Sequence, residues 1–120
     1  MDVLVFSLIV LNILFFVWIF IMESILWETP YVMKAFGTTP ETAASGRELA
    51  INQGVYNLFL AAGLVWSLIA SDPTSFQAKV FFLSCIVVAA ITVGVVSSKR
   101  LMVVQGMPAV VTLALVLATH

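Results

Sequence analysis

Charge is what this sequence has least of. Only 9% of its 120 residues are Asp, Glu, Lys or Arg, against about 25% in an ordinary soluble domain. Five basic and six acidic residues leave the balance near zero, which excludes the basic footprint of a nucleic-acid binder. Cysteine occurs once, as Cys85 within an apolar run. No internal disulfide can form, and the position suits a small buried hydrophobe. Histidine also occurs once, as His120, so a His/Cys metal site or a Ser–His pair lacks its members. Glycine-rich phosphate loops and nucleophile elbows are missing as well. No metal and no cofactor is expected.

Apolar residues are what fill the chain instead, at 62%. A chain this short forms at most one domain and could not hide so much apolar surface in a single aqueous core. Lipid is the natural solvent for the excess. A membrane-crossing helix needs about 20 mostly apolar residues, and four stretches qualify, at about 3–27, 49–70, 76–97 and 101–119. The expected architecture is all-α: a single transmembrane domain over residues 1–120, built as an integral membrane four-helix bundle with a short helical segment in its first link. Short links between the later spans suit antiparallel neighbours. Asp2 stands where a signal peptide carries positive charge, and no small-residue cleavage site follows the long apolar run, so the first span reads as a retained helix.

The links carry helix punctuation. Thr29-Pro30 opens a short helix that Gly37 closes. Thr39-Pro40-Glu41 repeats the opening, and from there one helix is expected to run unbroken through Glu48 into the second span. Its first turns are polar and belong in the headgroup layer. Asp72-Pro73 caps the third span. Pro108 falls inside the fourth and frees a backbone carbonyl one turn earlier. Lys34, Arg47, Lys99 and Arg100 lie in the first and third links, against Lys79 alone in the second. The positive-inside rule then puts links one and three in the cytoplasm of a multi-pass cell-membrane protein, with both termini outside.

Polar side chains are expensive inside a bilayer, so their placement is informative. Glu23 ends span one. Asn52, Gln53 and Asn57 open span two, Ser97 and Ser98 close span three, and Gln105 lies about a turn into span four. With helices alternating in direction, all fall in the cytoplasmic half of the bilayer. At 3.6 residues per turn, Asn12, Phe16, Glu23 and Trp27 share a face of span one. Asn52, Phe59, Gly63 and Trp66 share a stripe of span two. If both point inward, a polar mouth lies above an aromatic floor. The candidate ligand-binding residues are therefore Glu23, Trp27, Asn52, Gln53, Asn57, Phe59, Trp66 and Gln105. Trp27 and Tyr31 also fit an interfacial aromatic belt.

The run Asn52-Gln53-Gly54-Val55-Tyr56-Asn57-Leu58-Phe59-Leu60-Ala61-Ala62-Gly63-Leu64-Val65-Trp66 resembles the signature of a family of small bacterial and fungal membrane proteins, the domain-of-unknown-function family thirteen-oh-four. Glu23 with Trp27-Glu28-Thr29-Pro30, Lys34-Ala35-Phe36-Gly37, and Val104-Gln105-Gly106-Met107-Pro108-Ala109 extend the likeness across most of the chain. The resemblance implies a four-helix membrane protein and supports the polar cluster as a shared feature; it supplies no activity. Relatives often carry a histidine in the first helix near the place of Phe16, where this chain has Phe15-Phe16. That departure weakens any shared His–Glu acid–base pair.

Several functions fit these residues. In the first, the amides orient a small amphipathic molecule that binds or passes through, Phe59 and Trp66 meet its apolar part, and Glu23 supplies charge or exchanges a proton. In the second, the protein is a membrane enzyme with isomerase-like chemistry, Glu23 acting as general acid or base on a lipophilic substrate. In the third, it is an accessory or assembly subunit, and the polar residues are interhelical glue worth about 0.6 to 2 kcal/mol per hydrogen bond. Small multidrug exporters are similar in length and carry an acid in helix one, but theirs lies well inside the helix and Glu23 lies near its end. Partners expected are the lipid bilayer, a small amphipathic ligand and, since small spans often pair, a second copy in a homodimer.

Overall fold

The computed structural model of the chain describes residues 2–120. Among these residues there is no strand, and four helices are long and apolar enough to cross a membrane. The protein is an all-α, multi-pass membrane protein. Helix α1 (Val3–Phe20) continues into a π-helical turn (Ile21–Ile25). Two short helices follow, α2 (Pro30–Phe36) and α3 (Pro40–Ser45). The remaining long helices are α4 (Arg47–Ile69), α5 (Thr74–Val96) and α6 (Lys99–Ala118). At 1.5 Å per residue the 23-residue helices α4 and α5 are about 34 Å long, enough for a hydrocarbon core of about 30 Å.

Local chemistry explains the breaks. Pro30 fits the first turn of α2, and Gly37 ends it with φ 70°, a left-handed conformation that only glycine adopts without strain. Thr39 and Thr42 cap α3 reciprocally: the Thr42 N–H donates to Thr39 Oγ1 (3.2 Å), and the Thr39 N–H to Thr42 Oγ1 (2.8 Å). The unbroken helix expected from Pro40 into the second span does not form. Gly46 interrupts it, and α4 restarts at Arg47. Glycine is the residue with most backbone freedom to lose in a helix, and Gly46 leaves helical geometry at φ −95°, ψ 3°. Span one stops short of Trp27, because Leu26 leaves helical geometry at φ −103°, ψ 14°. Pro73 precedes α5, whose Phe76 N–H reaches Asp72 Oδ1 at 3.3 Å. Helix α6 runs through Pro108 without interruption.

The chain forms two compact units, one of residues up to Ile13 with Ala62–His120, the other of Leu14–Ala61. In the first, α5 and α6 form a hairpin across Ser97 and Ser98, with Ser98 Oγ accepting the Leu101 N–H. Their contact is close. A Cβ built on Gly106 would stand 2.8 Å from that of Ala90, the small-residue packing by which membrane helices approach. Asn12 Nδ2 donates to Thr112 Oγ1 at 3.0 Å and to the Leu8 carbonyl at 2.9 Å, while Thr112 donates to the Pro108 carbonyl. Asn12 and Thr112 are both buried, and Asn12 Oδ1 has no partner. In the second unit the π turn, the start of α4 and the two short helices assemble around Val32 and Ala43, both fully buried.

Candidate functional site: a buried acid–amide pair on a π turn

The second unit holds Glu23, the one buried acid among the described residues. The π turn accommodates one residue more than an α-helical turn, and the Leu26 N–H bonds back to the Ile21 carbonyl at 2.9 Å. Such turns are rare and occur frequently at functional sites. Glu23 sits in its middle and is 4% exposed. Facing it across the unit is Asn57 of α4, also buried.

Asn57 Nδ2 donates to Glu23 Oε1 at 2.8 Å and to the Gln53 carbonyl at 3.1 Å. A backbone carbonyl and a carboxylate are both acceptors, so the amide must turn its nitrogen toward them. That fixes the side-chain orientation and leaves Asn57 Oδ1 free to face something else. The carboxyl itself is held through Oε1 alone.

The frame around the pair is tight. Ser24 Oγ donates to the Ile51 carbonyl at 2.8 Å. Gly54 lies against Ser24, and a Cβ placed on it would also stand 3.2 Å from Glu23 Cβ and from the Phe20 carbonyl oxygen. Glycine is needed there for close approach, not for an unusual dihedral. The first link is anchored to the same frame. Trp27 Nε1 donates to the Ala43 carbonyl at 2.9 Å, and its ring meets Phe36 edge-on at 5.2 Å. Arg47 pairs with Glu28 at 3.1 Å on the exposed rim. No cation from this rim neutralises the buried acid.

Of the residues singled out from sequence, Glu23 and Asn57 are brought together. Gln53 contributes its backbone carbonyl, while its side chain and that of Asn52 are exposed. Trp27 is half-buried in the link. Phe59 points outward, edge-on to Tyr56. Trp66, half exposed beside Phe82, and the half-buried Gln105 belong to the first unit. The expected aromatic floor along Asn52, Phe59, Gly63 and Trp66 is therefore not what α4 buries, since only Gly63 of that stripe is covered. The buried stripe is Ala50, Gly54, Asn57, Ala61 and Leu64. In lipid the large apolar side chains lose nothing by facing outward, and small residues take the helix contacts. The same logic explains what sequence reasoning missed. Ser24 and the Asn12–Thr112 pair are single hydroxyls and amides in apolar runs, with only their helix-turn spacing from other polar or small residues to reveal them.

The fold and this site define a small multi-pass membrane protein that keeps one carboxylic acid buried against an amide near the end of its first span. No curated protein and no solved structure matches the chain. A family model described as "Protein of unknown function (DUF1304)" matches residues 10–117. The chain belongs to that family.

Proposed function

We infer that the Glu23–Asn57 pair is the polar end of a site that binds, or passes across the membrane, a small amphipathic molecule. The reading rests on one observation above others: a buried carboxyl presented by a π turn and held through a single oxygen at 2.8 Å. An acid kept only as glue between helices has no need of a distorted turn. The free oxygens Glu23 Oε2 and Asn57 Oδ1 would orient the ligand's polar group, with Glu23 supplying charge or exchanging a proton. Exposed Asn52 and Gln53, one to two turns nearer the start of α4, would meet it first, and Trp27 would border the entry. Phe59 would contact its apolar part from the helix surface. The residues needed all belong to Leu14–Ala61, and the reading does not depend on Trp66 or Gln105. Lys34 and Arg47 in the first link, with Lys99 and Arg100 in the third, support a cytoplasmic mouth and outward termini.

The test is binding of a panel of lipophilic compounds, cations included, to the purified protein in nanodiscs. Glu23→Gln keeps the shape and removes the charge; Asn57→Ala removes the amide. Each is expected to weaken binding of a panel hit by about tenfold or more, equivalent to 1.4 kcal/mol. Unchanged affinity in both variants refutes the site.

A further inference from the structure

A polar cavity lies within the first unit, at the end where α1 begins, α4 runs into α5 and α6 finishes. Its volume is about 340 Å³, and its lining includes Asp2, Asp72, Ser75, Phe76, Lys79 and His120. That size is within the range of small-molecule sites, about 300–1,000 Å³.

Lys79 is the unusual member. It is 7% exposed, in a chain where every other lysine and arginine is exposed. Its Nζ donates to Ser75 Oγ at 2.8 Å. Ser75 Oγ in turn donates to the Ser67 carbonyl at 2.6 Å, and Ser67 Oγ to that of Leu64 at 2.6 Å. The hydroxyls are thus committed away from the cavity, and Ser75 serves Lys79 only as an acceptor. An ammonium has three donors, and this arrangement occupies one. Among the described residues Lys79 is in no ion pair. Asp72 attracts it from across the cavity without reaching ion-pair distance, and a buried ammonium so incompletely compensated is costly, more so beside lipid. The remaining donors call for an anionic group.

The cavity is not a simple anion site, however. Asp2 and Asp72 line the same space and would repel a ligand that is only negative. Each spends Oδ1 on a helix start, Asp2 on the Leu4 N–H at 2.7 Å and Asp72 on the Phe76 N–H at 3.3 Å. Among the described residues their second oxygens have no hydrogen-bond partner and remain for a cationic donor. Apolar walls come from Val5, Val116 and Phe76, with the His120 ring stacked on Phe76 at 3.7 Å. Buried cation, exposed carboxylates and apolar wall together match a ligand with a negative group, a nearby primary ammonium and a hydrocarbon part.

We propose that this cavity binds a zwitterion of phosphoethanolamine type, its phosphate on Lys79 and its ammonium between Asp2 and Asp72. The bilayer presents this chemistry as phosphatidylethanolamine headgroups; the aqueous phase presents it as free phosphoethanolamine.

The experiment is native mass spectrometry of the full chain released from bilayers of equal parts phosphatidylcholine and phosphatidylethanolamine. The wild type should retain phosphatidylethanolamine in preference, because a quaternary choline cannot donate hydrogen bonds to the carboxylates. Lys79→Met should lower retention by about tenfold, whereas Lys99→Met, in the third link, should not. The pair Asp2→Asn and Asp72→Asn keeps both helix caps and should erase the preference while leaving some lipid bound. If Lys79→Met fails to fold, the double Asn variant decides alone. Displacement of the lipid by added O-phosphoethanolamine would assign the soluble compound as the natural source, and resistance to it the lipid; both agree with the proposal. Equal retention of the two lipids by the wild type overturns it. So does an undiminished preference in the double Asn variant, or undiminished lipid retention by a folded Lys79→Met protein.

Discussion

Replacing Gly54 by alanine adds one methyl group where the structure has no room for it. The new Cβ would overlap Ser24 Oγ and stand 3.2 Å from both Glu23 Cβ and the Phe20 carbonyl oxygen. Ser24 can rotate away, but only by giving up its bond to the Ile51 carbonyl. A hydrogen bond between membrane helices contributes about 0.6 kcal/mol on average and about 1.7 at most. The other two neighbours are a backbone atom and a Cβ, which move only if the helices separate. An inserted methylene in a packed site costs about 1–3 kcal/mol. The expected destabilisation by Gly54→Ala is therefore about 2–4 kcal/mol. Reversible unfolding of the protein in bicelles by increasing mole fraction of a denaturing detergent would read it. Ser24→Ala in the same background removes the nearest obstacle. Because the two sites touch, their effects should not add, and the double variant should recover about 1–2 kcal/mol relative to the sum of the singles. A Gly54→Ala protein within about 0.5 kcal/mol of wild type, or strictly additive singles, would refute the close approach of the π turn to α4.

Two further substitutions probe other joints of the fold. Trp27→Phe removes the indole donor to Ala43 but keeps a ring against Phe36, so it should cost about 0.5–1.5 kcal/mol and leave α3 open to earlier proteolysis in a limited-digestion time course. Thr112→Val deletes one partner of Asn12, whose Nδ2 keeps the Leu8 carbonyl; the same unfolding assay should show a loss of about 0.6 kcal/mol and no more than about 1.7.

Much of this was legible in the sequence, and particular residues explain why. The four long helices lie where charge disappears, since a charge-free run of spanning length has few other physical solutions. Thr29-Pro30 and Gly37 bracket α2 because fixed φ at one end and left-handed φ at the other are local demands, met without help from the rest of the chain. Gly46 was harder. A single glycine is tolerated inside many helices, so its presence alone does not say that the Pro40-to-α4 run breaks there. The acid–amide pair was half legible. Glu23 and Asn57 stand out by cost alone, but the helical wheel pointed α4 with its aromatic stripe inward. It lacked the rule that in lipid small residues, not large ones, take the contact face, and it could not anticipate the π turn that re-aims Glu23. The environment of Lys79 was illegible, because Ser67, Ser75 and Lys79 look unrelated until α4 and α5 turn back on each other.

The turn between α5 and α6 is two residues long and is followed at once by Lys99 and Arg100. So short a connection leaves no slack for one helix to enter the bilayer and wait for the other. The two helices of the hairpin would then enter the bilayer together as a single loop. Gly94 and Gly106, seated against Met102 and Ala90, would then be in place from the first moment of insertion, so that the two helices reach their packed state as one step.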